Sequence, residues 1–362
     1  MSGTSGDGVD ASLICTNGLN RYELIKDKYF EYDSDIYKDI HNLKEKIHTM
    51  EHLKIYQNEI NSLERKITIF HAQIVKQLSL SNDTIIGFHG QTIYHNSEEK
   101  ISRQLGNGKL LNQLTNMNIV FNFRANDISN SGEGAPLTPI FHHLLSIQNN
   151  IKLPLCILNI GGISNITIIK DKYNLSELIS KDIGPGNCLI DNWVRKNSNK
   201  KFDKDGHMAG SGEKNQIIFE QAQELYLNRN NKKKLSFDTN DFDISFVRGL
   251  SLEDGVATLT YFTAGIISEE LTLSLKNSKQ KIQNILLCGG GRKNKFLLEK
   301  IKENLSPNIR LKLIDDYKID GDFIESQAFA FLAIRSLLGL PISFPNTTGC
   351  KTPSTGGELV KN

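Results

Sequence analysis

The sequence predicts an α/β fold. Apolar β-branched runs alternate with helical stretches along most of the 362 residues, and four glycine-rich segments each sit against such a run. At about 150 residues per domain the length suggests two domains. Hydrophobic residues make up 38% and charged residues 23% of the chain, enough for a substantial core and too apolar for wholesale disorder.

The first glycine segment is Ser2-Gly3-Thr4-Ser5-Gly6-Asp7-Gly8, which runs into Val9, Leu13 and Ile14. Between residues 36 and 56, Ile40, Leu43, Ile47, Met50 and Leu53 recur at three- and four-residue spacing and predict a helix. Leu63, Ile67, Phe70, Ile74 and Leu78 predict another. Short strands fit residues 84–88, 119–123 and 309–314. The second glycine segment, Gly161-Gly162, joins the strand-like runs 155–160 and 166–169 and reads as a hairpin turn. Together with the segment at 2–8 it suggests two halves built on a similar plan. The third, Gly184-Pro185-Gly186-Asn187, leads into Leu189, Ile190, Trp193 and Val194 at helical spacing, with Asn187 placed to cap that helix. The fourth, Gly289-Gly290-Gly291, follows Ile285-Leu286-Leu287. Residues 323–338 form a further amphipathic helix that Gly339 can stop. The lysine- and asparagine-rich stretch at 195–245, including Asn228 to Lys234, reads as solvated loops and helix surface.

Composition excludes several function classes. Forty-three basic against 41 acidic residues leave a net charge of +2, without the concentrated basic field of a nucleic-acid or membrane-surface protein. No run of 18 apolar residues and no basic-then-apolar N-terminus is present, so neither a membrane span nor a secretory leader is expected. The five cysteines (Cys15, Cys156, Cys188, Cys288 and Cys350) are scattered and odd in number, which favours a reducing, cytoplasmic setting over a disulfide framework.

Glycine turns expose main-chain N–H groups that can converge on phosphate oxygens, because no Cβ blocks the approach. Four such turns in one chain point to a nucleotide-phosphate site, although none has the P-loop or Rossmann spacing. Asp7 would repel phosphate unless a cation lies between them, so it is the expected Mg²⁺-side residue, directly or through water. Asp182 closes a β-branched stretch just before a glycine turn, where a carboxylate can act on a bound ligand or simply satisfy turn amides; spacing does not choose between these. His89 and Gln91 follow a strand, where ligands sit in α/β folds. Arg124 and Glu325, taken alone, read as surface or salt-bridging residues.

The ordered series of segments resembles the anhydro-N-acetylmuramic acid kinase family. It comprises MSGTSGDGVD (1–10), GFHGQTIYH (87–95), FRANDI with GEGAPLTP (123–139), LNIGGISNIT (158–167), DIGPGNCLID (182–191), KDGHMAGSG (204–212), ATLTYFTA (257–264), CGGGRKN (288–294) and ESQAFAFLAIRSLLGLPISFPNTTG (325–349). The resemblance implies a two-domain actin/hexokinase-like (ribonuclease H-like) fold with a central ATP cleft between the domains. The implied limits are an N-terminal domain at 1–150, a C-terminal domain at 151–345 and a tail at 346–362. The implied activity is ATP-dependent: water opens 1,6-anhydro-N-acetylmuramic acid, which becomes N-acetylmuramic acid 6-phosphate, a step in peptidoglycan recycling.

The resemblance also implies site roles. Gly3, Thr4, Ser5, Gly6, Asp7, Gly8, Val9 and Asp10, with Gly161, Gly162, Ser164, Gly289, Gly290 and Gly291, would bind ATP. Asp182 would be the catalytic carboxylate, and His89, Gln91, Arg124 and Glu325 would bind the sugar. Mg²⁺ would accompany ATP, no nucleic acid or membrane partner is implied, and a homodimer stays open. The other reading is a degenerate relative that folds and binds nucleotide but is inactive or serves as an interaction protein. Several departures from the family pattern carry expectations of their own. A strand precedes the first glycine loop in the family, whereas Met1 here already belongs to the loop, so the loop is expected to be poorly anchored. Gly6 replaces a larger residue and is expected to loosen the turn. Asn122 stands in place of an aspartate. The lysine-serine-threonine-glycine segment of the family is unrecognisable in residues 235–246.

Overall fold

The structure is a computed structural model that describes residues 1–81, 83–228, 234–276, 278 and 281–362. The first elements in chain order are strands β1 (Gly8–Thr16) and β2 (Tyr22–Glu31), then helices α1 (Ser34–Lys46), α2 (Met50–Ile55) and α3 (Gln57–Leu78). Next come β3 (Ile85–Phe88), β4 (Gln91–Asn96), β5 (Ile101–Leu105), α4 (Gly108–Thr115), β6 (Asn118–Phe121), α5 (Ala125–Ser129) and α6 (Pro139–Gln148). The middle of the chain holds β7 (Leu155–Ile160), β8 (Ile163–Ile169), β9 (Ile179–Pro185), α7 (Cys188–Asn197), α8 (His207–Ser211), α9 (Gln216–Leu227) and α10 (Leu252–Lys276). The remainder is β10 (Asn284–Cys288), α11 (Lys295–Asn304), β11 (Arg310–Leu313), α12 (Ile324–Leu337), α13 (Pro345–Thr348) and β12 (Glu358–Val360).

These elements form two compact units. One comprises residues 1–151, 172–179 and 323–362, and the other residues 152–171 and 180–322. The last segment therefore differs from the expected division, which gave residues up to 345 to the second domain and the rest to a tail. The reason is packing: α12 lies against β1 and β3, and β12 pairs antiparallel with β6, so the C-terminal elements complete the first unit.

In the first unit, β12, β6 and β3 form one sheet, with β1–β2 and β4–β5 as separate antiparallel ribbons. The expected single helix over 36–56 is broken. Thr49 accepts from the His52 N–H and starts α2 afresh after Ile47 has left helical geometry. The apolar spacing nevertheless survives the break, because Ile40, Leu43, Ile47 and Leu53 all join one core cluster with α3. In the second unit the sheet order is β11-β10-β7-β8-β9. Every residue of β7 is buried, which explains its apolar run, broken only at Asn159. Gly161-Gly162 does turn β7 into β8, with Ile160 opposite Ser164. The first glycine segment is different: it precedes β1, and residues 17–21 close the β1–β2 ribbon. The two segments therefore do not share one plan.

Candidate active site

Several main-chain and side-chain bonds hold the first glycine loop. The Met1 amine donates to the Asp10 carbonyl and the Asp10 N–H to the Met1 carbonyl, both at 2.9 Å. On the other side, Ser2 forms a parallel bridge with Gln91. Ser2 Oγ contacts Gln91 Oε1 at 2.5 Å and the Gly8 carbonyl at 2.9 Å. Gln91 Nε2 donates to the Gly3 carbonyl at 3.0 Å, and Lys44 Nζ to the Thr4 carbonyl at 2.7 Å. The expected poor anchoring is thus overturned: residues 1 and 2 make one rung on each side, and α1 and β4 grip the loop through side chains.

The expected loosening at Gly6 is overturned too. Its φ of +66° lies in the left-handed region, and a Cβ there would come within 2.9 Å of Ile40 Cγ2, so the turn requires glycine. Thr4 and Ser5 are exposed and Asp7 half-buried. Ser5 Oγ donates to Asp7 Oδ1 at 2.6 Å, so that hydroxyl orients the carboxylate. Val9 is buried and serves the core.

His89, Gln91, Arg124 and Glu325 all lie in the same unit as this loop. Gln91 is fully buried and spends its amide on the loop. Arg124 Nη2 meets His89 Nε2 at 3.0 Å and Nη1 donates to the Gly134 carbonyl at 2.9 Å. His89 Nδ1 lies 2.9 Å from the Gly90 carbonyl. Burial first, then the Arg124 charge, holds the imidazole pKa well below its ordinary value. His89 is therefore neutral, carries its proton on Nδ1 and accepts from Arg124. Glu325 opens α12, half-buried. Asn122 adopts a left-handed φ of 54°, which asparagine and aspartate tolerate, and its amide donates to Glu358.

In the second unit the two glycine turns expected at ATP, Gly161-Gly162 and Gly289–Gly291, differ. Gly161 directs its carbonyl to the Asn187 N–H (2.8 Å), and Gly162 directs its own to the N–H groups of Gly186 (2.9 Å) and Cys188 (3.1 Å). Ser164 Oγ donates to the Pro185 carbonyl at 3.1 Å. The expected Asn187 cap is absent: its side-chain amide donates to the Gly161 carbonyl at 3.1 Å, locking the turns together instead. Gly289 has φ +76° and a Cβ there would lie 2.3 Å from Asn159 Oδ1, whereas Gly290 faces open space. Gly291 is buried.

Asp182 is buried within β9, the edge strand of its sheet. Its N–H donates to the Leu235 carbonyl and its Oδ2 accepts from the Phe237 N–H, both at 2.7 Å. A segment about 55 positions downstream thus lies along the strand edge and holds its carboxylate. That segment is the one in which the family's lysine-serine-threonine-glycine motif is unrecognisable, and it works here through main-chain groups that leave no side-chain signature. Asp182 also lines a pocket with Tyr226, Phe237 and Phe242, where Lys181 pairs with Glu270 (2.8 Å) and Lys234 with Asp241 (3.1 Å). Residues 229–233 of the polar run lie outside the described residues. Lys44, Leu235 and Phe237 went unnoticed in the sequence, since nothing near them in the chain marks their partners.

Among the described residues no group of three His, Cys, Asp or Glu side chains is placed to hold a metal ion, and no helix is long and apolar enough to cross a membrane. A single oriented carboxylate beside a hydroxyl, as at Asp7 and Ser5, fits a cation that keeps most of its waters.

A family model described as anhydro-N-acetylmuramic acid kinase matches residues 1–362. The anhydro-N-acetylmuramic acid kinase of Pelagibacter ubique (strain HTCC1062) is 55% identical over 365 residues, covering 100% of this chain and 97% of its own. The enzyme of that name from Agrobacterium fabrum is 33% identical, with 100% and 97% covered. Its namesake from Zymomonas mobilis is 36% identical, with 99% and 98% covered. The solved activator of the 2-hydroxyisocaproyl-CoA dehydratase from Clostridium difficile with bound ADPNP aligns at TM-score 0.31 and 14% identity. That alignment covers 51% of this chain and 61% of the activator, too loosely to bear on the site.

Proposed function

The chain belongs to the anhydro-N-acetylmuramic acid kinase family, and from that membership we propose how its own residues carry out the reaction. It is a kinase that converts 1,6-anhydro-N-acetylmuramic acid, water and ATP into N-acetylmuramic acid 6-phosphate and ADP in peptidoglycan recycling. The observation that carries this reading is the family match along the whole chain, and the inactive alternative has nothing comparable behind it.

Asp182 acts as the base. The Phe237 N–H donates to one of its carboxylate oxygens, and the carboxylate takes a proton from water as that water attacks the anomeric carbon. The bond from that carbon to the bridging oxygen breaks. The freed oxygen, now O6 of the sugar, attacks the γ-phosphorus of ATP, and ADP departs. Asp182 then returns its proton to solvent.

Phosphoryl transfer depends on in-line placement and charge neutralisation. Amides of the turns at Gly3–Gly8, Gly161–Gly162 and Gly289–Gly291 are assigned to the phosphates, apart from the Gly6, Gly161 and Gly289 N–H groups, which donate to the Gly3, Ile163 and Gly321 carbonyls. Asp7, oriented by Ser5, is assigned to the hydrated Mg²⁺, whose chemistry is to neutralise phosphate charge. Arg124, steadied by the neutral His89, is assigned with Glu325 to the sugar side, while the buried Gln91 holds the phosphate loop. The aromatic pocket beside Asp182 suits a ligand with both apolar and hydrogen-bonding groups. The scattered cysteines favour a cytoplasmic setting, and the balanced net charge fits an enzyme without nucleic-acid or membrane partners.

The test is ADP release by the purified protein with and without the anhydro sugar and Mg²⁺. Turnover that requires both is expected. Steady ATP hydrolysis indifferent to the sugar would overturn the reading.

A further inference from the structure

We propose that Arg292 is a positioning residue for the glycine turn Gly289–Gly291, holding its main chain in the conformation that receives nucleotide phosphates. The inference rests on the assignment of that turn to ATP.

Arg292 follows the turn directly, yet its side chain is only 4% exposed. All five guanidinium N–H groups are directed to acceptors within its own unit. Nε and one Nη2 proton reach the two oxygens of Asp315 at 2.7 and 2.8 Å, the planar fork of a bidentate pair. The second Nη2 proton lies toward Asp320 at 3.3 Å. Nη1 reaches Asp322 at 2.5 Å and the Gly289 carbonyl at 3.1 Å. No donor is left over to meet a phosphate directly, so any effect of Arg292 on nucleotide binding must pass through the turn.

The contact with Gly289 gives that route. The Gly289 peptide is held from both sides, its N–H donating to the Gly321 carbonyl at 3.0 Å and its carbonyl accepting from Arg292. Gly289 sits at φ +76°, a conformation a free glycine shares with many others, so these two bonds select one. The neighbouring Gly290 is left facing open space. The three carboxylates outweigh the arginine charge, so Arg292 presents no free positive charge and the main-chain amides are what meets the ligand. Although burial alone would lower the guanidinium pKa, the bonds from Asp315 and Asp322 raise it, so the charge is permanent.

Arg292→Lys keeps the charge and removes the fork. The expected result is a folded enzyme whose KM for ATP rises about 10- to 100-fold, with kcat at saturating ATP and KM for the sugar changed less than about threefold, as loss of one or two charge-assisted bonds implies. Asp315→Asn, which leaves the arginine in place with a weaker partner, should show the same split at smaller size and decides the matter if the lysine variant fails to fold. Gly290→Val is the control, since its side chain would fill the open face of the turn without touching the clasp. Loss of ATP binding in Gly290→Val together with an unchanged KM for ATP in the folded Arg292 or Asp315 variant would overturn the positioning role alone. Equal rises in both KM values would also overturn it, as a general loss of structure. Unchanged ATP binding in Gly290→Val would overturn the assignment of the turn, and the inference with it.

Discussion

Arg124 and His89 meet through Nη2 and Nε2 at 3.0 Å, with the imidazole proton turned away to the Gly90 carbonyl. A histidine so arranged is a fixed acceptor that aims a guanidinium, and it has no proton to give near neutrality. His89→Ala should therefore raise the KM for the sugar about 10- to 100-fold, the cost of leaving a charged donor unpaired. His89→Gln, which can still accept, should recover much of that. Steady-state kinetics across pH checks the role. An acidic limb near pH 6.5 that vanishes in His89→Gln would show a titrating histidine instead.

Asp182→Asn separates charge from shape. The amide oxygen can still accept from the Phe237 N–H, so the fold and ATP binding should be kept. Loss of the base should lower kcat about 10²- to 10⁴-fold. Both ADP and ring-opened sugar should be measured, since the two should fall together. Turnover within about tenfold of the parent protein would remove Asp182 from the role of base.

Gly6→Ala puts a Cβ on a residue at φ +66° and 2.9 Å from Ile40 Cγ2. The conformational cost is about 1–2 kcal/mol, and the loop must shift away from α1. A lower urea midpoint and a higher KM for ATP are expected. Unchanged values for both would show that the loop tolerates a side chain there.

Three buried histidines contribute to an acid-side stability slope: besides His89, already held neutral, they are His142 and His71. Burial lowers His142 from 6.5 to about 4, and His71 from 6.5 to about 3, with the chain's terminal amine adding to the latter. Both stay neutral in the folded state while the unfolded chain takes up protons below pH 6.5. Their contribution is complete above that pH and shrinks as pH falls toward 4, by up to about 1.4 kcal/mol per unit for each histidine. Urea unfolding at about pH 7.5, 6.0 and 5.0 measures this. His142→Gln should reduce the slope by about one proton, and a flat profile in the parent protein would contradict the assignment.

Read along the chain, the residues determine this protein's α/β class, its glycine turns and the helix faces that pack, because these follow from neighbours within a few positions. The Gly161-Gly162 turn between two apolar runs is such a case, and so is the helix after Asn187, whose four apolar positions are all buried. Folding alone decides who holds whom at longer range. Lys44 grips a loop 40 positions away, Phe237 takes the Asp182 carboxylate through a main-chain N–H, and the C-terminal helix joins the first unit. Such partnerships depend on sheet order and strand edges, which no local spacing encodes. Many run through backbone atoms that every residue type shares.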